Sequence, residues 1–207
     1  MTFSTIIFDL GGIVTNRSWH DDNKKKFDEF SEKFSITMEG MDKAWEKFKH
    51  DFVQGKISEE VFWEKFLKEA GMKNVEEDNI EEAELLWREY QKVNDGMLAL
   101  ISRLRKKYKV VAITNIPLEW FEYKNEEFEF DEHFDEIVVS GAEKVSKPNP
   151  KIFQILLKRL NVKAEECIMV DDRDENIATA KQLGMKSIKF VSQKQLEGDF
   201  RKEGVKL

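Results

Sequence analysis

Residues 5–12 read TIIFDLGG, and the architecture of the chain can be worked out from them. The first four residues are apolar or β-branched, which is typical of a strand buried inside a sheet. The strand pattern ends at the carboxylate of Asp9, and Gly11 and Gly12 then allow a tight turn where a ligand can approach the backbone. In open α/β sheets, ligands bind beyond the carboxyl ends of the strands. We therefore expect Asp9 to lie at the edge of a binding site.

Three later segments place polar residues where they could meet Asp9. TN at 114–115 directly follows the apolar run VVAI, KP at 147–148 lies in a loop, and DD at 171–172 directly follows the apolar run IMV. In chain order the four segments supply a nucleophile, a hydroxyl with an amide, a cation, and a carboxylate pair that could hold a metal. This order and spacing indicate one site assembled from several strands.

Strand and helix patterns alternate in the second half of the chain. Strands are predicted at 5–9, 109–114, 136–140, 166–171 and 186–191, with helices at 97–107, 150–160 and 174–183. Asn149 and Pro150 are a typical N-cap and first helical residue. Because strands that alternate with helices of this length imply βαβ units, we predict an α/β, Rossmann-like fold with a parallel five-stranded sheet.

Residues 16–95 have a different character, with aromatic residues at helical spacing and no strand-like alternation. Aromatic side chains recur three and four residues apart, which is typical of amphipathic helices: Phe27, Phe30 and Phe34, then Trp45, Phe48 and Phe52. We predict an all-helical cap over 16–95, inserted after the first strand into a core formed by 1–15 and 96–207.

Within this insertion the helix boundaries are indicated by capping residues. Ser58 is a typical N-cap, and Gly71 is a typical residue just beyond a helix end. A further helix is predicted over 76–93, with an inner face formed by Leu85, Leu86, Tyr90 and Val93. Outside the insertion, the aromatic cluster at 120–123 is compatible with a helix packed under the cap or with a subunit interface.

Composition limits the classes of partner. The chain has 207 residues, of which 36% are charged, and a net charge of −7, which disfavours nucleic acid because duplex binding depends on clustered Lys and Arg. No apolar run approaches the ~18 residues of a membrane span, and no secretory signal is evident. Cys167 is the only cysteine, which excludes an intrachain disulfide. We expect a cytoplasmic protein with no membrane or nucleic-acid partner, and the oligomeric state stays open.

The four polar segments, in this order, resemble the motifs of the haloacid dehalogenase-like hydrolase superfamily, whose members are mostly magnesium-dependent phosphatases. The resemblance runs from FDLGG at 8–12 to VDDRDEN at 170–176 and so covers nearly the whole chain. It implies a Rossmann-like core with a helical cap after the first motif. It also implies hydrolysis of a small phosphorylated metabolite, with Asp9 as the nucleophile that forms an aspartyl-phosphate.

The resemblance extends to the residues that hold phosphate. Thr114 and Asn115 match the second motif, in which a hydroxyl and the next backbone amide bind a phosphate oxygen. Lys147 matches the lysine that neutralises the nucleophile and the phosphate together, as a point charge. The resemblance thus implies a catalytic pair of Asp9 and Lys147.

The resemblance also implies a Mg²⁺ site formed by Asp9, the backbone carbonyl of Gly11, and Asp172. A competing interpretation makes Asp172 the N-cap of the next helix, but a carboxylate pair directly after an apolar strand favours a metal. Asp171 is expected to orient a metal-bound water rather than bind directly, and Asn176 to secure the loop.

Gly11 departs from the family pattern, which usually has a second aspartate there. That aspartate protonates the leaving oxygen and later activates the hydrolytic water, help that is typically worth roughly 10²–10⁴-fold. An active phosphatase stays the leading hypothesis, because a substrate with a good leaving group, such as a sugar 1-phosphate, tolerates a missing acid. His20 and Asp22 could supply a proton from the cap side, although surface positions are the more ordinary explanation.

Two other functions are compatible with the pattern. A metal-free haloacid dehalogenase would use the aspartate to attack carbon, although members of that branch carry a bulky aromatic residue in place of Gly11 and would leave Asp172 without a metal. A catalytically silent phosphate-binding module would keep the fold while lacking turnover.

Overall fold

The computed structural model describes residues 3–15 and 24–207. Five strands of this part of the chain form one parallel sheet: β1 Thr5–Phe8, β2 Lys109–Thr114, β3 Glu136–Val139, β4 Cys167–Asp171 and β5 Lys186–Lys189. Their order across the sheet is β3-β2-β1-β4-β5. The predicted five-stranded, Rossmann-like α/β fold is therefore confirmed. The two candidate proton donors at 20 and 22 lie outside the described residues.

The register brings the polar segments to one edge of the sheet. Phe8 at the end of β1 is aligned with Ala112 of β2 and with Val170 of β4. Asp9 donates its backbone N–H to the Val170 carbonyl at 2.9 Å, so the two strands end at the same level. Parallel strands expose their carboxyl ends on one side, and β1, β2 and β4 are neighbours there.

Helices cover both faces of the sheet. Their bounds are α5 Asp95–Leu104, α6 Leu118–Phe128, α7 Phe130–His133, α8 Ser140–Glu143, α9 Pro150–Leu160, α10 Asp174–Gln182 and α11 Gln193–Lys202. Alternate residues of β1 point to opposite faces: Ile6 and Phe8 pack with α5 and α11, whereas Ile7 packs with α9. This two-sided burial is what a parallel sheet requires.

The C-terminal end of the sheet differs from the sequence-based expectation. The predicted last strand, 186–191, ends at Lys189, and α11 follows after the capping box that Ser192 and Gln195 form. Leu196 and Phe200, four residues apart, are fully buried against the sheet. Two apolar residues among ten gave too weak a periodic pattern to predict this helix.

Residues 24–89 form a helical layer that joins no strand of the sheet. Its helices are α1 Lys24–Phe34, α2 Met38–Val53, α3 Glu59–Glu69 and α4 Glu77–Glu89. Ser58 is the N-cap of α3, as predicted, and accepts a hydrogen bond from the Val61 amide at 3.3 Å. The division into 1–15, 16–95 and 96–207 stays a prediction, because the chain that would join core and layer near residue 16 lies outside the described part.

The inner face predicted for α4 is partly wrong. Leu85 is 60% exposed, whereas Ala83, Trp87 and Tyr90 are buried. These three residues lie three and four apart and so share one face of the helix, from which Leu85 is turned away. The large Trp87 ring fills the space beneath α4, with its centroid 4.5 Å from that of Trp120.

Trp120 of α6 belongs to the aromatic core of the helical layer, together with Phe52, Phe62 and Trp87. Its ring is edge-on to Phe52 at 4.9 Å, and its indole N–H donates to Glu59 Oε1 at 2.7 Å. The cluster at 120–123 therefore lies in a helix packed under the layer, which was one of the two alternatives. The layer and the α/β part share a continuous core here.

Two polar contacts join the C-terminal end of α2 to α8 and to the loop that carries Ser146. Gln54 Nε2 donates to Ser146 Oγ at 2.9 Å, and the Ser140 hydroxyl donates to the Val53 carbonyl at 2.5 Å. Each pair spans 87 or more residues of sequence. These contacts hold the C-terminal end of α2 directly beside Lys147, the neighbour of Ser146. Among the described helices, none is long and apolar enough to cross a membrane.

Glu59 is the buried acceptor on which the Trp120 indole depends, and it also forms an ion pair with Arg88 at 3.2 Å. Glu59→Ala should lower the free energy of unfolding by about 1–3 kcal/mol, because a buried donor loses its partner. Urea denaturation measures the change. Glu64→Ala removes an exposed carboxylate from the same helix and should alter stability little. Equal effects of the two substitutions would contradict the importance of the buried contact.

Candidate active site

Asp9 lies at the end of β1 with only 7% of its surface exposed. Its Oδ1 accepts a hydrogen bond from the Leu10 amide at 2.7 Å, and its Oδ2 lies 3.0 Å from Lys147 Nζ. The turn that follows is closed by hydrogen bonds from the amides of Val14 and Thr15 to the Leu10 carbonyl, at 2.8 and 2.9 Å. The carboxylate is thus fixed both by its own turn and by a cation.

Lys147 connects the polar segments. Its side chain is fully buried, and Nζ lies 3.0 Å from Asp9 Oδ2 and 2.7 Å from Asp171 Oδ2. The Asn115 side chain holds the backbone of Lys147: it donates to the carbonyl and accepts from the amide, both at 2.8 Å. Asn115 had been predicted for phosphate binding through its backbone amide. Its side chain has this second contact, which the sequence did not indicate.

Three carboxylates converge beside Lys147. Asp9, Asp171 and Asp172 each have an oxygen atom within 4.8 Å of the other two, an arrangement that could hold a metal ion. Oxygen ligands of this type suit Mg²⁺ or Ca²⁺. Three negative charges and one ammonium leave the cluster negative, so a divalent cation fits it electrostatically.

The two neighbouring aspartates have different surroundings. Asp171 is fully buried, and its Oδ1 accepts from the Arg173 amide and from Asn176 Nδ2, both at 2.9 Å. Asp172 is half-buried and lines the adjoining cavity. The cap residue of α10 is Arg173, so Asp172 is not the N-cap that the competing interpretation proposed. The contact from Asn176 agrees with its expected role in securing the loop.

Burial dominates the electrostatics of Asp9. It raises the pKa of this carboxyl to about 7, Lys147 opposes the rise, and repulsion from Asp171 and Asp172 adds to it. Burial alone would lower the pKa of Lys147, but Asp9 and Asp171 outweigh it and the pKa is raised. The lysine is therefore charged at neutral pH, whereas burial disfavours ionisation of Asp9.

A cavity of about 410 Å³ opens beside these groups. It is lined by every residue predicted for the site, namely Asp9, Gly11, Thr114, Asn115, Lys147 and Asp172. Further walls come from α2 and α6, together with Phe130 of α7, Asn176 of α10 and loop residues. A Cβ atom on Gly11 would meet nothing within 4 Å, so the glycine leaves open space where the family usually has an acid.

Lys124 is a cavity residue that sequence reasoning missed. It lies on α6, is 6% exposed, and lines the same cavity as Asp9. Burial lowers the pKa of its ammonium to about 8, with the Asp9 charge opposing the change. The signal in the sequence is its spacing: Lys124 follows Trp120 by four residues and so shares the apolar face of the helix.

Curated relatives of the chain include phosphatases. The chain is 41% identical over 107 residues to glyceraldehyde 3-phosphate phosphatase of Pyrococcus furiosus, a match covering 50% of this chain and 44% of that protein. It therefore spans less than half the length of that relative. It is 26% identical over 210 residues to D-ribitol-5-phosphate phosphatase of Bacteroides thetaiotaomicron, covering 96% of this chain and 95% of that protein.

Among solved structures, the fold matches a HAD family enzyme of Bacteroides thetaiotaomicron in complex with magnesium and inorganic phosphate. The TM-score is 0.74 at 21% identity, covering 94% of this chain and 98% of the other, which shows the likeness of fold. A family model described as haloacid dehalogenase-like hydrolase matches residues 3–184. Because this match spans most of the sequence, the chain belongs to the haloacid dehalogenase-like hydrolases.

Proposed function

We propose that the protein is a Mg²⁺-dependent phosphatase that hydrolyses a small phosphorylated metabolite, of the sugar or polyol phosphate class, through an aspartyl-phosphate on Asp9. The observation that carries this proposal is the contact of Lys147 Nζ with both Asp9 and Asp171 at the base of a cavity. Phosphoryl transfer asks a protein mainly for positioning and charge stabilisation, and this arrangement supplies both.

Asp9 is suited to be the nucleophile. The Leu10 amide holds one carboxylate oxygen at 2.7 Å, and the other oxygen faces Lys147. Ionisation is required for attack on phosphorus, and a second cation near the carboxylate would lower its raised pKa. Thr114, Lys147 and the backbone amide of Asn115 then hold the phosphate oxygens.

The carboxylate cluster fits a divalent cation. Asp9, the Gly11 carbonyl and Asp172 would hold Mg²⁺, and Asp171 would position Lys147 and the loop beside it. When bound, Mg²⁺ supplies positive charge between the carboxylate and the incoming phosphate, which otherwise repel each other. Support comes from the oxygen-only donor set and from the related enzyme that binds magnesium and inorganic phosphate.

The substrate class rests on the relatives and on the size of the cavity. Two similar proteins act, by their names, on glyceraldehyde 3-phosphate and D-ribitol 5-phosphate, which are small phosphorylated carbohydrates. A cavity of about 410 Å³ is of a size typical for a small-molecule ligand. The three clustered carboxylates disfavour the metal-free dehalogenase, because the single ammonium of Lys147 offsets only part of their mutual repulsion.

Phosphate release from p-nitrophenyl phosphate tests this function. The wild type should require Mg²⁺ and lose activity in EDTA, and Asp9→Asn should reduce turnover by more than about 10³-fold because an amide cannot attack phosphorus. Asp174→Asn, an exposed acid near the site, is the matched control and should keep its activity. Halide release from a haloacid without metal would favour the dehalogenase, and calorimetric phosphate binding without turnover would favour the silent module.

Asp9→Asn should also stabilise the metal-free protein at alkaline pH. The folded-state pKa of about 7 lies above the ordinary value, so the contribution of Asp9 to stability is lost as pH rises through about 7. Asparagine removes this loss, on the order of 2–4 kcal/mol at pH 8 and less at pH 5. Thermal unfolding in EDTA at both pH values measures the difference. A variant less stable than the wild type at pH 8 would contradict the electrostatic account.

Substitutions of the two adjacent aspartates should separate their roles. Asp172→Asn should mainly raise the Mg²⁺ concentration needed for half-maximal activity, because it removes a direct ligand. Asp171→Asn should lower kcat by roughly 10–100-fold even at saturating Mg²⁺, because Lys147 loses its 2.7 Å partner. Mg²⁺ titrations of both variants measure this split. Indistinguishable titration curves would mean that the two aspartates act as one unit.

A further inference from the structure

Lys124 is a buried cation in the candidate site. The proposed function assigns it no role. Lys124 is 6% exposed, and it lines the same cavity as Asp9 and Gly11. Within residues 3–15 and 24–207, nothing forms a hydrogen bond or an ion pair with its ammonium. Buried lysines are rare unless they are paired, so this ammonium points to a partner that arrives with the substrate.

In the described part of the cavity wall, the acid that the reaction needs is not at its usual position. Gly11 lies at the position where the family usually has the proton donor. A Cβ atom added there would meet no atom within 4 Å. The charged or titratable residues of the described cavity wall are Asp9, Lys49, His50, Lys124, Lys147, Asp172 and Arg173. Lys147 is held by two carboxylates, Lys49 by Glu46, and His50 and Arg173 are exposed. Of the described residues, Lys124 alone combines burial, an unpaired N–H donor and access to the cavity.

The ammonium of Lys124 also has a suitable acidity. Burial lowers its pKa to about 8, so it is charged at neutral pH and yet gives up a proton more readily than an exposed lysine. Proton transfer is most effective when the pKa of the donor is near the working pH.

We propose that Lys124 donates the proton to the leaving oxygen, in place of the aspartate absent at position 11. This role rests on the proposed phosphatase function. As the bond from Asp9 to phosphorus forms and the ester P–O bond breaks, the proton passes from the ammonium to the leaving oxygen. The products of this step are the free alcohol, the aspartyl-phosphate and a neutral Lys124 amine.

The second half of the reaction restores the donor. The neutral amine takes a proton from the water that attacks phosphorus, and the P–O bond to Asp9 breaks. Inorganic phosphate leaves, the Asp9 carboxylate is free again, and Lys124 is an ammonium. One water is consumed for each ester, and no other reactant is needed.

The test compares two leaving groups in the Lys124→Met variant. Glycerol 3-phosphate releases a basic alkoxide that needs a proton, whereas p-nitrophenyl phosphate releases a stable phenolate that does not. We expect kcat/KM to fall roughly 10²–10⁴-fold for glycerol 3-phosphate and less than about tenfold for p-nitrophenyl phosphate. This ratio reports the first irreversible step, so a slower second half-reaction does not obscure it. Equal falls for both substrates, or none, would overturn the proposal.

Rescue and control variants complete the test. Adding Gly11→Asp to Lys124→Met should restore hydrolysis of glycerol 3-phosphate by at least about tenfold, because the open space accepts the acid. Lys151→Met, at an exposed position, should change neither kcat/KM value. Failure of the double variant to recover would argue against proton donation.

The wild type provides a measurement that does not depend on how the variants fold. Across substituted phenyl phosphates its kcat/KM should vary little with the basicity of the leaving group, and a steep dependence would contradict a proton donor. If the wild type released no phosphate from any ester in Mg²⁺, the proposed function itself would fail, which is distinct from equal losses in an active Lys124→Met enzyme.

Discussion

The buried ammonium of Lys147 is the contact on which the candidate site depends. It lies 3.0 Å from Asp9 and 2.7 Å from Asp171, and so joins the carboxyl ends of β1 and β4. The Asn115 side chain, directly after β2, fixes the backbone of the same lysine through two hydrogen bonds of 2.8 Å. Removing the Lys147 ammonium would leave two buried carboxylates without their ion pair, and the loss of such a buried charge typically costs about 3–5 kcal/mol. The carboxyl ends of β1, β2 and β4 are therefore held together at the proposed active site.

Much of the sheet was predictable because its signals are local. Each strand is a short apolar run, and the parallel connections force the polar residues that follow β1, β2 and β4 to one edge. The elements that were missed lack such signals. α11 has only Leu196 and Phe200 as a buried pair, and the inner face of α4 is set by the space that Trp87 fills against Trp120. That space is formed by the packing of the helices against one another, so the sequence of α4 alone does not indicate which face is buried.

The site was predictable as a set of residues, but its internal contacts were not. The chain order of the motifs indicated that Asp9, Lys147 and the acidic pair would meet. The hydrogen bonds of Asn115 to Lys147 and the ion pair of Lys147 with Asp171 join residues 32 and 24 positions apart, and no local pattern specifies them. Lys124 was hidden for another reason. In a chain with 34 Lys and Arg residues, the spacing of Lys124 from Trp120 is a weak signal, and tertiary packing is needed to show that this lysine is buried.

α6 carries both a residue of the aromatic core, Trp120, and a residue of the cavity, Lys124. Trp120 and Lys124 lie four residues apart on one face of this helix, and Glu59 of the layer holds the Trp120 indole at 2.7 Å. Lys124 is buried on the same face of α6 as Trp120, and this desolvation lowers the pKa of its ammonium. Burial alone therefore produces an ammonium of lowered pKa, with no neighbouring cation needed. In our proposal, this ammonium supplies the proton that the family usually takes from the acid at position 11.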